Sequence, residues 1–353
     1  EIPQYNTAQD FSYFIVNRCL NEFEGTGHLA VVSRQFYEDL YVVYNTDSGY
    51  TAAHPHSQYN YSQLTAKESL AFYQDAVEKA KLRLVESTDL SDETGADINN
   101  GSDNLSFACY PEQSAGYVNV NMMTYYSGKD IDNNPEYHAL MLFFGRLEEE
   151  GYKNCIIDIR NNPGGGDTYW KYALIAPNIT KTMNSESLAL IKGLVCQYYV
   201  SQLAGYPIYP ITDLNTEKLS ALNPQDLQDA ISYVIRSEEV NPASQGRSLF
   251  SGKFWLLVSE TSYSSSESFA MFCKQTGFAT LVGTHTGGDG GGMDPIFFAM
   301  PNTGILIRFS ADMGLNPDGS CSEEFGTTPD YPISENEDAL VKCLEIISQK
   351  ANY

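Results

Sequence analysis

Basic side chains are scarce in this sequence. Lys and Arg total 21 against 45 Asp and Glu, a net charge of −24. A surface this negative repels nucleic acid and anionic membranes, so neither is an expected partner. No apolar run approaches the roughly 18–20 residues of a membrane span. No secretory leader is visible and the sequence starts at Glu1 without Met, as a mature or trimmed chain would. The charge suits a protein kept soluble outside the cytoplasm or in the cell envelope. Seven cysteines are scattered, without CxxC pairs or zinc spacing. Their odd number leaves at least one unpaired, and the sequence does not decide between reduced core thiols and one or two disulfides. No internal repeat or low-complexity tract is present. What remains is 353 residues, 42% hydrophobic, enough for one large domain or two smaller ones with a sizeable core.

The organising stretch is Val258-Ser259-Glu260-Thr261-Ser262-Tyr263-Ser264-Ser265-Ser266-Glu267. It follows an apolar run, Phe254 to Val258, that reads as a short buried strand. It precedes Ser268 to Cys273, which reads as a helix. A serine at such a turn presents its hydroxyl at a helix N-terminus, where unpaired N–H groups and the macrodipole stabilise negative charge. An acyl-transfer nucleophile and its oxyanion hole need that geometry. Ser264-x-x-Glu267 is equally the pattern of a capping box, which many ordinary helices carry.

The N-terminal third reads as helical. Apolar residues at helical spacing predict a helix over 9–24, with Asp10 as N-cap and Gly25 and Gly27 as stops. Ser33 is expected to cap a second helix through Tyr44. Residues 45–61 read as a polar, Tyr-rich loop holding His54 and His56. Residues 62–86 look helical, and 87–105 read as an exposed acidic loop. From residue 107 strand and helix alternate. Gly116 to Met122 has period two, 134–150 an amphipathic helical pattern, and Cys155 to Ile159 the look of a fully buried strand. Residues 180–250 suggest an insertion over the site, with a strand near 188–198 and a helix near 225–236. A hairpin is expected from Ile296 to Ser310 around a Pro301-Asn302-Thr303-Gly304 turn, and a closing helix at 335–350. This alternation predicts an α/β core at 107–353, preceded by a helical subdomain at 1–106.

The buried strand runs straight into Asn162-Pro163-Gly164-Gly165-Gly166. Glycines there let the backbone approach a ligand and point N–H groups at it. One such N–H together with that of Ser265 would make a two-donor oxyanion hole. A plain strand-to-helix turn would use the same residues. The run is not a phosphate loop, because no Gly-Lys-Ser/Thr follows it. A serine hydroxyl also needs a neighbouring base. Five histidines are available: His28, His54, His56, His138 and His285. His138 lies inside an amphipathic helix and reads as structural. His54 and His56 flank Pro55 and could pair on a metal only weakly. Spacing leaves His28 and His285 level as candidates.

At this point the residues resemble a known family. Ile156-Ile157-Asp158-Ile159-Arg160-Asn161-Asn162-Pro163-Gly164-Gly165 resembles the "IIDLRNNPGG" element of the C-terminal-processing (tail-specific) serine peptidases and their tricorn-core relatives. Thr261 to Glu267 looks like their "TASASE" nucleophile motif. Leu281 to Gly290 is similar to their "VVGxxTxGKG" segment. Asp318-Gly319, then Glu323 to Asp330, resembles their closing "DG…ExxGVxPD". Four motifs in the family's order imply a serine peptidase on an α/β, crotonase-like (ClpP-like) core of mixed sheet and helices. The family binds its polypeptide substrate as an extended strand, and no metal or cofactor is required.

The resemblance breaks at one position. The processing branch uses a Ser-Lys dyad, with lysine in "GKG", whereas this chain has Asp289. Lys274 falls elsewhere and does not substitute. The tricorn-like branch instead takes a histidine from a short "SHxx" or "GHxx" motif near its N-terminus. Asn21 to Leu29 resembles that motif, which carries the general base over to His28 and the nucleophile to Ser264. A glutamate near the closing motif supports the histidine in that branch, matching Glu323, with Glu324 adjacent. Oxyanion donors carry over to Ser265 and to Gly164 or Gly165, and Glu267 is expected to cap and orient the serine helix. A histidine base implies activity rising through a limb near about pH 6–7, and a lysine base one well above it. No PDZ sequence is evident between residues 33 and 115. Asp289 and the missing serine at position 27 also suit a catalytically dead member that binds peptides or small ligands. A crotonase-type acyl-thioester enzyme would share the fold, but the acidic surface and the serine motif speak against it.

Overall fold

Two strands of near-continuous apolar sequence form the centre of the molecule. Asn154–Asp158 and Lys253–Val258 are buried along almost their whole length. Strands buried on both faces belong to a parallel sheet covered by helices on each side. The computed structural model describes residues 7–16, 28–46, 51–52, 54–89, 104–124, 131, 134–290, 292–334 and 336–350. Its strands are, in chain order, β1 (Ala30–Val31), β2 (Leu105–Tyr110), β3 (Ala115–Val120), β4 (Asn154–Asp158), β5 (Met183–Ile191), β6 (Ile208–Pro210), β7 (Ser232–Val240), β8 (Lys253–Val258), β9 (Ala279–Gly283), β10 (Ile296–Ala299), β11 (Leu306–Phe309), β12 (Met313–Leu315) and β13 (Tyr331–Pro332). The main sheet has the order β13-β9-β8-β4-β3-β2 and is parallel except for the β2–β3 pair. The architecture is therefore mixed α/β, as expected.

Each face of this sheet has its own cover. On one side the helices Pro135–Glu149 and Ser265–Thr276 and the turns at 167–175 pack on Val118, Ile157, Leu256 and Leu281. On the other, the closing helix Ala339–Lys350 packs through Cys343, Ile346 and Ile347 on Ile156, Trp255 and Leu257. Trp170 lies 5.8 Å from the ring of Phe269 and 5.2 Å from that of Phe272. Such aromatic pairs contribute about 0.5–1.5 kcal/mol each beyond the area they bury. Here they lock the helix after the glycine run against the serine helix.

The expected insertion supplies three strands, β5, β6 and β7, of a second, antiparallel sheet of order β12-β5-β7-β6, whose β12 comes from outside it. Its elements differ from the sequence reading. The strand near 188–198 lies at Met183–Ile191 and gives way to a short helix at Leu194–Tyr198. The helix near 225–236 stops at Asp229, and Ser232–Val240 is a strand. The reason is pairing: nine residues of β7 match nine of β5, and inside and outside alternate along most of the strand. A window that crosses Ala230-Ile231 blends the two periods.

The helical region also shows local differences. Thr7 rather than Asp10 caps the first helix, whose Asp10 N–H donates to Thr7 Oγ1 at 3.0 Å. The continuation of that helix beyond residue 16, with Gly25 and Gly27, lies outside the described residues. Ser33 caps Arg34–Thr46 by accepting from Phe36 N at 3.2 Å. The loop expected at 45–61 instead contains the helix Pro55–Leu64. Its buried face holds polar Ser57 and Asn60, so no hydrophobic stripe announces it. Asn60 donates to Pro295 O at 3.0 Å and accepts from Phe297 N at 3.0 Å, which satisfies the buried amide. The stretch 62–86 divides into the helices Lys67–Phe72 and Gln74–Asp89. These helices do not close a core alone. Phe297 and Leu306, from the β10–β11 hairpin, complete the cluster of Val32, Tyr37, Leu64 and Tyr73. The hairpin and β1 form a three-stranded sheet, which fixes the segment just after His28 against β11.

Candidate active site

β4 and β8 run side by side in parallel, so their C-terminal ends open onto one place. The crevice beyond the carboxyl ends of parallel strands is where ligands bind in such sheets. The hydroxyls of the serine stretch first tie these ends together. Ser262 Oγ donates to Ile159 O at 2.8 Å and accepts from Ser259 N at 3.1 Å. The chain then turns sharply at Ser264, with φ 56° and ψ −118°. A non-glycine residue held there costs on the order of 1–3 kcal/mol, so the surroundings must enforce it. They do so through Ser264 N, which donates to Gly288 O at 3.0 Å, and Ser264 O, which accepts from Ser268 N at 2.9 Å.

This turn lifts the Ser264 hydroxyl off its own helix, and the side chain makes no capping bond. The capping-box reading therefore fails. Glu267, expected to cap, is fully buried and accepts from Thr327 Oγ1 at 2.6 Å. Burial pushes its carboxyl up to about 7.

The glycine run lies directly against this turn. A Cβ on Gly164, at φ 105°, would stand 2.9 Å from Ser264 Cβ, and one on Gly165, at φ 132°, would stand 1.9 Å from Met123 O. Only glycine permits that approach. The N–H of Gly164 is already used: it donates to Asn162 Oδ1 at 2.9 Å. Gly164 is thereby removed as an oxyanion donor. The N–H groups of Gly165 and Ser265 have no hydrogen-bond acceptor among the described residues. Asn162 anchors the loop further, donating to Val120 O at 3.0 Å and accepting from Tyr263 N at 3.3 Å.

His28 arrives from the other end of the chain. Its Nε2 is 3.4 Å from Ser264 Oγ, across 236 positions of sequence. This is looser than a formed hydrogen bond, as catalytic contacts without substrate often are. The ring is buried beside Tyr263, with centroids 5.4 Å apart. Its Nδ1 contacts Asp289 Oδ2 directly. The same oxygen accepts from Tyr263 OH at 2.9 Å. Asp289, like Ser264, has a positive φ, 61°. The carboxylate against the imidazole is thus the residue that the sequence reading took for a missing lysine. Its signal was present: an acid inside the glycine loop, in a chain whose base is a histidine needing an orienting partner. Glu323 stands one layer further out. Its Oε1 accepts from Ser310 Oγ at 3.0 Å, and burial with the Asp289 charge raises its carboxyl to about 8.

The remaining candidates lie elsewhere. Glu324 is exposed. His285 is exposed, with Nδ1 facing Phe325 O at 3.2 Å. His138 is on an outer helix face. His54 and His56 pack edge to face, and His56 Nε2 is 3.8 Å from Asp294. Lys274 pairs with Asp330. Among the described residues no group of three or more His, Cys, Asp or Glu could hold a metal ion, and no helix is long and apolar enough to cross a membrane. The six described cysteines are free thiols, and Cys19 lies outside the described residues.

Residues 114–333 match Peptidase family S41. No curated protein matches the chain. Among solved structures, mature CPAF complexed with lactacystin is 18% identical, with 67% of this chain and 50% of that one covered and a TM-score of 0.44. The photosystem II D1 C-terminal processing protease is also 18% identical, over 67% of this chain and 47% of that one, with a TM-score of 0.38. A lipoprotein from Streptococcus agalactiae is 12% identical over 99% of both chains, with a TM-score of 0.42. The chain thus spans about half the length of the first two.

Proposed function

The chain belongs to peptidase family S41, whose peptidases are serine-type proteases, and from that premise we propose that it is an endopeptidase cutting extended polypeptide segments with Ser264 as nucleophile. Ser264 Oγ attacks the scissile carbonyl carbon while His28 Nε2 takes its proton. Asp289 holds the imidazole by Nδ1, which fixes the tautomer and stabilises the imidazolium that forms. The developing oxyanion falls between the N–H groups of Gly165 and Ser265. His28 then gives the proton to the leaving amine. A water molecule repeats the sequence on the acyl-enzyme, with His28 again as base. The substrate lies as an added strand, its backbone supplying the pairing.

One observation carries this reading: a buried imidazole, pinned by a carboxylate, faces the hydroxyl of a strained serine at 3.4 Å. The dead-member reading leaned on Asp289 and on the missing serine at position 27; Asp289 is in contact with His28, and position 27 lies outside the described residues. A fluorophosphonate probe tests the proposal. Labelling of the wild type that disappears in Ser264→Ala is expected. A wild type that stays unlabelled, and leaves quenched peptide libraries uncut, overturns it. The net charge of −24 supports action outside the cytoplasm or in the cell envelope, which fractionation of the native source would check.

A further inference from the structure

Asp289 lies between Gly288 and Gly290 and itself has φ 61°. A non-glycine residue keeps that conformation only where its surroundings enforce it. Its carboxylate must also point at His28 Nδ1 if it is to orient the imidazole. The loop therefore needs an anchor that reaches the carboxylate from outside.

Tyr263 supplies one. Its hydroxyl donates to Asp289 Oδ2 at 2.9 Å, the same oxygen that meets the His28 ring. Its own ring stands beside the imidazole, with centroids 5.4 Å apart and planes inclined at 53°. The tyrosine backbone is tied on both sides: its N–H donates to Asn162 O at 3.3 Å, and its carbonyl accepts from Ser266 N at 3.1 Å. A parallel bridge pairs it with Gly288, the residue before Asp289. Tyr263 is also the residue before Ser264. The contacts thus close a circuit. It runs from Ser264 Oγ to His28 Nε2 at 3.4 Å, through the imidazole to Asp289, on to the Tyr263 hydroxyl, and back along the chain to Ser264.

We propose that Tyr263 is a positioning residue whose hydroxyl aims the Asp289 carboxylate at His28, so that the turn presenting the nucleophile also fixes the base. The inference rests on the Ser264–His28–Asp289 reading above. Tyr263 acts through Asp289 and exchanges no proton with substrate. A hydroxyl donating to a carboxylate makes a charge-assisted bond, about twice as strong as one between neutral groups. Burial, then the Asp289 charge, pushes the phenol far above its ordinary range, so it keeps its proton and stays a donor. The plainer alternative is that the ring fills space beside His28 and its hydroxyl has no consequence for turnover.

Steady-state hydrolysis of a quenched peptide by the full chain separates the two, with far-UV circular dichroism and a thermal melt on each variant. Tyr263→Phe keeps the ring and removes the donor. It should lower kcat by about ten- to a hundredfold, the worth of a hydrogen bond to a charged group, with KM unchanged. Placed on Asp289→Asn, the same change should cost less than about twofold, because the group it acts through is already lost. 4-Aminophenylalanine at position 263 restores a weaker donor on the same ring and should recover at least about threefold of the loss. If Tyr263→Phe does not fold, this second variant is measured against the wild type instead. It should then lower kcat by about three- to tenfold at unchanged KM, and by less than about twofold on Asp289→Asn. A kcat within about twofold of wild type overturns the proposal. So does a loss carried by KM, or an equal loss with and without Asp289→Asn. A wild type that neither labels with fluorophosphonate nor cuts peptides removes the catalytic reading itself, and this inference with it, which none of the other outcomes does.

Discussion

Ser264 and His28 meet at one point but are held there by different means. The serine belongs to a strand–turn–helix whose bonds are local: Ser262 N to Ser259 O at 2.9 Å, Ser266 N to Tyr263 O at 3.1 Å, Ser268 N to Ser264 O at 2.9 Å. Only the β4 end and the glycine loops are needed to complete it. Among the described residues, the partners of the histidine are remote in sequence. The two-residue strand after it pairs with Ile307 and Arg308, its backbone N–H looks to Ser310, and its ring rests on Asp289. Every one of those partners is more than 250 positions away. The serine turn is thus set by its own stretch, the β4 end and the glycine loops, whereas the described contacts of His28 form where the helical region docks on the β10–β11 hairpin. Proton transfer should therefore be easier to disable than oxyanion binding.

Three substitutions probe that asymmetry, from the largest effect to the smallest. Asp289→Asn should cost about 10⁴ in kcat with little change in stability, because an amide cannot hold the imidazole in the required tautomer. Peptide hydrolysis and a thermal melt read this out, and a variant near wild-type rate would mean that Asp289 does not orient His28. Gly165→Ala strikes the serine half. Its Cβ would stand 1.9 Å from Met123 O, so the loop must shift and its N–H with it. Loss of one oxyanion donor costs about 10²–10³ in kcat, and the melting temperature should drop as well. Unchanged turnover would remove Gly165 as a donor. Tyr73→Phe tests the docking alone. Tyr73 OH donates to Val32 O at 2.7 Å and accepts from Leu306 N at 3.3 Å, joining the segment after His28 to the hairpin. Losing these bonds should cost about 1–2 kcal/mol of stability. Labelling should slow by up to about thirtyfold if all of that comes out of the docked state. Equal losses of labelling in this variant and in a destabilised core variant would erase the distinction between the halves.

The predictions from sequence succeeded or failed along the same division. The strands at β4 and β8, the serine helix and the hairpin follow from contiguous patterns, and these are the elements that carry Ser264 and the glycine run. Spacing alone left His28 level with His285. The family resemblance favoured His28, whose Nε2 lies 3.4 Å from Ser264 Oγ. The helix at Pro55–Leu64 escaped because its inward face is polar, which has meaning only opposite Pro295 and Phe297. Asp289 was in plain view but was read against a lysine template, and its partner lies 261 positions upstream.

By itself, the order of residues determined what neighbouring residues can build: an apolar run long enough for a buried strand, glycines where a backbone must pass close, and a serine at the turn between strand and helix. These depend on short-range sterics and periodicity, which any segment carries with it. Only the tertiary structure decided which imidazole faces the hydroxyl, which carboxylate faces the imidazole, and that Gly164 spends its N–H on Asn162 while Gly165 does not. Those outcomes depend on distances between segments far apart in the chain, set by how whole layers pack, and no local pattern contains them.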